Sequence, residues 1–136
     1  MGNKVERFED LIAWQKARSL TREVYLHATQ GRFGKDYVLS KQIRSAALSM
    51  SSNIAEGFDR GNRNEFTQFL SIAKASCAEV RNDLYVAADI GYIDEATAAS
   101  LIANAEEVGR IVGGLRSAVA KQRRKPQSSV LSPQSS

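Results

Sequence analysis

The sequence predicts an all-α protein, an up-down-up-down antiparallel four-helix bundle, and three observations carry that prediction. Apolar residues recur at alternating steps of three and four along four separate stretches, the period of a helix with one buried face. The only two prolines, Pro126 and Pro133, lie beyond the last stretch, so nothing in residues 1–125 forbids helix on that ground. The stretches are joined by short segments containing Gly or Asp, which force consecutive helices to lie side by side and antiparallel. With 136 residues, 43% hydrophobic and 25% charged, the chain is sized for one domain whose core stands without staples.

The first helix is predicted over residues 8–29. Glu9 and Asp10 occupy its first turn, where the helix dipole favours acids, and Ala13, Ala17, Leu20 and Val24 form its stripe, widened by Trp14 and Tyr25. Gly31 and Gly34 interrupt the pattern, and Asp36 is a cap for a second helix over residues 37–58, with Leu39, Ile43, Ala47, Met50 and Ile54 on one side. Gly57 and Gly61 offer its stop. Asn62 with Glu65 three residues on resembles a capping box for the third helix, whose seam, Phe66, Leu70, Ala73, Cys77, Val80, Leu84 and Ala87, alternates steps of four and three without a miss. "GYID" makes the next turn, with Asp94 as cap. The fourth helix repeats the alternation through Leu101, Ala105, Val108, Val112, Leu115 and Val119 and is expected to end near Lys121. The bundle domain is thus placed at residues 1–120. Residues 121–136, polar, Ser-rich and broken by proline, are expected to be a disordered basic tail.

The second helix carries an unusual load of small hydroxyls, "SAALSMSSNIAEG". At 100° per residue, Ser45, Ser49 and Ser52 fall away from the core stripe, with Leu48 beside them. A solvent-facing surface would ordinarily use Lys, Glu, Gln or Arg, which are better helix formers, whereas small residues let another helix come close. On the third helix Ile72, Ala75 and Val86 share a face roughly opposite the seam. Ser45, Leu48, Ser49, Ser52, Ile72, Ala75 and Val86 are therefore expected to form a second interface, and the simplest partner is another copy of the chain. The competing reading leaves the serines in water, where they merely weaken the helix. Asn53, at the edge of the core stripe, would need hydrogen-bond partners if buried.

Charge is segregated along the chain. Lys121, Arg123, Arg124 and Lys125 account for the net +4, leaving a neutral body in which residues 4–63 hold 11 bases against 7 acids and residues 64–120 hold 4 against 8. A lone cysteine, Cys77, and a lone histidine, His27, supply neither a disulfide framework nor a metal cluster within one chain, so no metal or cofactor is expected. The charged N-terminus does not read as a signal peptide, and no apolar run reaches the roughly 20 residues of a membrane span. A cytoplasmic protein without membrane contact is the expectation. The sequence has no P-loop, GxGxxG or HExxH, and Cys77 falls within a core seam, where a buried thiol packs rather than reacts. No catalytic residue is assigned, and the protein is expected not to be an enzyme.

The stretches "FEDLIAWQKARSLTREVY", "QIRSAALSMSSNIAEGF", "EFTQFLSIA" and "IGYID" resemble, in order, the 23S rRNA intervening-sequence proteins, a bacterial four-helix-bundle family that includes the accessory variability determinants of diversity-generating retroelements. The resemblance spans residues 8–119, and its most specific part is Asn53-Ile54-Ala55-Glu56-Gly57. It implies assembly into a homopentameric barrel and, for retroelement members, a basic surface that binds nucleic acid and a reverse-transcriptase partner. Family members often carry a basic residue where this chain has Ser45, a proline where it has Ser51, and a more basic segment than "RGNRNEF".

Candidate phosphate contacts are Arg18, Arg22, Lys41, Arg44, Arg60 and Arg63 together with Lys121, Arg123, Arg124 and Lys125, since binding RNA or DNA backbone requires cations and no particular fold. Arg18 and Arg22 stand one turn apart on the first helix. The alternative is a solvated face with ordinary salt bridges. No aromatic residue is placed among these cations by the sequence pattern, so weak sequence selectivity is expected. Two functions follow: a homo-oligomeric scaffold that binds nucleic acid, or a protein-only oligomeric adaptor that does not.

Overall fold

A computed structural model describes residues 4–124, with side chains described through Gln122. The chain is all helical among those residues: α1 (Ile12–Ala28), α2 (Gly31–Lys35), α3 (Tyr37–Asp59), α4 (Arg63–Ile90) and α5 (Glu95–Arg124), preceded by a 3-10 turn at Phe8–Asp10. The four long helices close into a ring in which α1 packs on α3 and α5, and α4 on the same two. Cross-helix contacts run antiparallel around the ring. Ser40 meets Ala28 while Thr21 meets Ala47. Gln42 meets Asp83 while Ser49 meets Ser76. Gly109 lies against Cys77 and Gly113 against Lys74. This is the up-down-up-down arrangement that short connections dictate.

Every predicted stripe turns inward. Ala13, Ala17, Leu20 and Val24 of α1, Leu39, Ile43, Ala47, Met50 and Ile54 of α3, the α4 seam from Leu70 to Ala87, and Leu101, Ala105, Val108, Val112 and Val119 of α5 are buried. Phe66 and Leu115 are partly buried and pack against this core. The caps also form as the sequence implies: Asp36 accepts the Leu39 N–H at 3.1 Å, Asn62 the Glu65 N–H at 3.0 Å, and Asp94 the Thr97 N–H at 2.7 Å.

Four boundaries depart from the sequence reading. The first helix does not begin at Phe8: extended backbone at Leu11 (ψ 127°) separates the 3-10 turn from α1, and the Asp10 carboxylate accepts the N–H groups of Glu6 and Arg7. The Gly31–Gly34 break is itself one turn of helix, because Phe33 is apolar enough to be drawn into the core, where it is 2% exposed. Gly57 does not end α3. The helix runs through it to Asp59, and the reversal falls at Gly61, whose φ of +69° suits glycine. Lastly, α5 continues past Lys121 to Arg124, while residues 125–136, the rest of the expected tail, lie outside the described residues.

Candidate nucleic-acid interface and self-association face

The cations nominated by the sequence separate into two groups. Arg18, Arg22, Lys41 and Arg44 stand on α1 and α3, which are locked side by side by the Thr21 hydroxyl donating to the Ala47 carbonyl at 3.0 Å and the buried Ser40 hydroxyl donating to the Ala28 carbonyl at 2.6 Å. Arg18, Arg22 and Lys41 are exposed, and Arg44 is half-buried. Among the described residues, none of the four makes an ion pair. Instead, Arg18 lies over the half-buried Trp14 ring, 5.3 Å from its centroid, and Phe8 supports that ring edge-on at 5.2 Å. Arg44 lies over Tyr25 at 5.7 Å, its Nε donating to the Ser40 carbonyl and hydroxyl, each at 3.1 Å. Arg22 is exposed on α1, one turn beyond Arg18 and three residues before Tyr25.

The remaining cations lie elsewhere. Arg60 is neutralised, with Glu56 at 3.0 Å and Glu65 at 3.9 Å, and it covers the Phe69 ring at 5.1 Å. It sits 16 residues from Arg44 along α3, about 24 Å at the helical rise. Arg63 is exposed at the start of α4, and Lys121 is exposed near the end of α5. Arg123 and Arg124 are helical, but their side chains, like all of Lys125, lie outside the described residues. The expectation that these cations lack aromatic neighbours is therefore corrected: Arg18, Arg44 and Arg60 each lie over a ring. The α1 periodicity could have exposed the first pair, since Trp14 and Arg18 are four residues apart. Arg44 on Tyr25 joins two helices and carries no local signature.

The serine-rich side of α3 meets α4. The Ser49 and Ser76 hydroxyls are bonded at 2.8 Å, and Ser76 also donates to the Ile72 carbonyl. Asn53 finds the partners burial requires: its amide donates to the Ser49 carbonyl at 2.8 Å and hydroxyl at 2.9 Å. Of the residues assigned to a second interface, Ser49 thus already has partners inside its own chain and is half-buried there. By the same antiparallel register Ser52 comes level with Ala73, and Ser45 with Val80. Ser45, Ser52 and Ala75 are exposed, Val86 is half-buried against the core, and Leu48 and Ile72 are each 49% exposed. The α3–α4 pair thus presents small side chains and uncovered aliphatic ones.

Sequence reasoning missed Asp83, one residue before the seam position Leu84. It is 1% exposed; Oδ1 accepts from Gln42 at 2.8 Å and Asn82 at 3.2 Å, and Oδ2 has no partner. Burial raises its pKa, opposed by those two amide donors, which favour the carboxylate. The Cys77 thiol, buried beneath Gly109, is pushed up to about 11 by loss of hydration. Among the described residues no group of His, Cys, Asp and Glu is placed to hold a metal ion, and no helix is long and apolar enough to cross a membrane.

These features define an all-helical protein with cations and aromatic rings along the α1–α3 pair and small or half-exposed aliphatic side chains along the α3–α4 pair, the two meeting on the outer stripe of α3 where Lys41, Ser45, Leu48 and Ser52 follow at steps of four and three. The chain belongs to the 23S rRNA-intervening sequence protein family, whose model matches residues 9–114. The fold is also that of a crystal structure of a protein of unknown function from the S23 ribosomal protein family of Bacteroides thetaiotaomicron VPI-5482. The two agree with a TM-score of 0.70 at 21% identity, over 77% of this chain and 98% of that one. No curated protein sequence matches this chain.

Proposed function

We propose that the protein is a non-catalytic scaffold that associates with copies of itself through the exposed α3–α4 face and binds the phosphate backbone of nucleic acid through the α1–α3 cations. The observation that carries this reading is Arg18, Arg22, Lys41 and Arg44 standing on two interlocked helices without a carboxylate partner among the described residues. A surface cation used for stability would ordinarily be paired, as Arg60 is, and even then would contribute little. Unpaired cations on a rigid surface suit phosphate, whose binding releases counterions. The family's description, which ties it to 23S rRNA, favours the same partner class. Self-association would multiply a modest patch through avidity.

Filter binding against salt tests the proposal. The log of affinity should fall with the log of salt by about 0.9 per phosphate contact on duplex or about 0.7 on single strands. Arg18→Gln with Arg22→Gln and Lys41→Gln should flatten the slope by about two to three. No retention at low salt would refute nucleic-acid binding and leave the protein-only adaptor, favoured by the half-exposed Leu48 and Ile72. A reverse-transcriptase gene beside a variable repeat would assign the scaffold to a retroelement, and a location within a ribosomal RNA gene to the rRNA.

A further inference from the structure

We infer that the α1–α3 face is built for single-stranded nucleic acid, with Trp14 and Tyr25 as stacking platforms whose resting occupants, Arg18 and Arg44, yield the rings to bases and turn to phosphates. The inference rests on the reading of this face as nucleic-acid binding and names its substrate class.

The geometry supplies both parts of such a site. Trp14 and Tyr25 are 11 residues apart on α1, about 16 Å along the axis, and their angular positions differ by only about 20° at 100° per residue. Both rings are half-buried, and each carries an arginine over its face. Phe8 holds the Trp14 ring at its edge, so that platform is positioned before any ligand arrives, while Ser40 holds the Arg44 Nε over the Tyr25 ring. Arg22 and Lys41, without an ion pair among the described residues, add charge on the same two helices.

The exchange is favourable in both directions. The exposed Arg18 guanidinium over Trp14 is a modest interaction, and stacking of a base on an aromatic side chain is stronger, while the displaced arginine gains a phosphate, its preferred bidentate partner; the half-buried Arg44 exchanges its two bonds to Ser40 for those of the phosphate. Arg60 on Phe69 is the internal contrast. Two carboxylates already hold that guanidinium, so a phosphate gains nothing by competing for it. A duplex keeps its bases paired and stacked, and so meets this face only through phosphates.

Trp14 is the only tryptophan, so intrinsic fluorescence reads the proposed platform directly. The full chain is titrated with single strands of uridine or deoxythymidine on the order of 15 nucleotides, and with a duplex of that length, at one low salt concentration. Fluorescence and the anisotropy of a label on the strand are followed together. Expected are binding of either single strand about tenfold tighter than duplex, and Trp14 quenching that saturates with the anisotropy. Trp14→Leu should weaken single-strand binding by about tenfold and leave duplex binding unchanged. Should that variant lose helical circular dichroism, Tyr25→Leu and the wild-type quenching decide. Equal binding of single strand and duplex with unquenched Trp14 would overturn stacking and leave a phosphate-only face. No binding of either form would overturn the nucleic-acid reading itself.

Discussion

Gly57→Ala tests whether α3 and α4 approach as closely as the structure requires. A Cβ at Gly57 would lie 2.6 Å from the Phe69 Cβ and 3.1 Å from the Phe66 Cδ1. Phe66 is able to give way by rotating its ring. The Phe69 Cβ is fixed to its backbone, so recovering an ordinary carbon–carbon separation of about 3.5–4.0 Å requires the helices to part by roughly 1 Å. That movement would strain the 2.8 Å Ser49–Ser76 bond farther along the same seam. Overpacking of this kind costs about 1–3 kcal/mol, with a backbone-fixed carbon toward the upper end. Alanine returns about 0.8–1.0 kcal/mol of helix propensity. The net expectation is a loss of about 2 kcal/mol, a drop in Tm on the order of 6–10 °C for a chain of this length. Gly114→Ala is the matched control, because Gly114 is exposed, lies within α5 and has nothing within 4 Å of its would-be Cβ. That variant should gain up to about 1 kcal/mol from propensity alone. Urea and thermal denaturation followed by circular dichroism compare the two. If Gly57→Ala is as stable as Gly114→Ala, the close approach is wrong.

Other expectations follow from the same contacts. Asp83 has a folded pKa raised above its unfolded value of about 3.9, so the folded state holds the proton more tightly; stability should decline as pH rises from about 4 through the folded pKa and then level off. Asp83→Asn keeps a carbonyl for Gln42 and Asn82 and should flatten that decline, whereas an unchanged pH profile would discount Asp83. Cys77, pushed up to about 11, should hold roughly one part in a thousand as thiolate at pH 8, so a disulfide reagent should label it slowly until urea opens the bundle; rapid native labelling would contradict its burial. Ile72→Glu should lower the sedimenting mass without loss of helix if the α3–α4 face joins subunits, and an unchanged mass would remove that face from self-association. Ser49→Leu should behave differently, destabilising each subunit by about 1–3 kcal/mol, because its hydroxyl is held within the chain by Ser76 and Asn53.

Particular residues mark where sequence reasoning stopped. The α4 seam was legible because seven positions alternate in step, and burial follows directly from period. Asp36 was legible as a cap, but its second bond was not: Tyr92, 56 residues away, donates to its Oδ2 at 2.8 Å while stacking on Phe33 at 5.4 Å. Those two bonds hold the Asp36 carboxyl below the usual carboxylate range and join the α4–α5 turn to the start of α3. Arg18 and Arg44 were nominated by charge alone, and the rings beneath them emerged only once α1 and α3 were side by side.

The sequence by itself determined the four long helices, their inward stripes, the three caps and the family, because each is written in local period, in side chains that bond their own neighbouring backbone, or in a run of matching residues. Only the tertiary structure decided that Gly57 admits a phenylalanine instead of ending a helix, that Asp83 is buried, and that Ser49 is engaged at home. The physical reason is common to all three. Each depends on the distance and register between two helices, which are set by the packing of the whole ring and leave no trace in the spacing of residues along either helix alone.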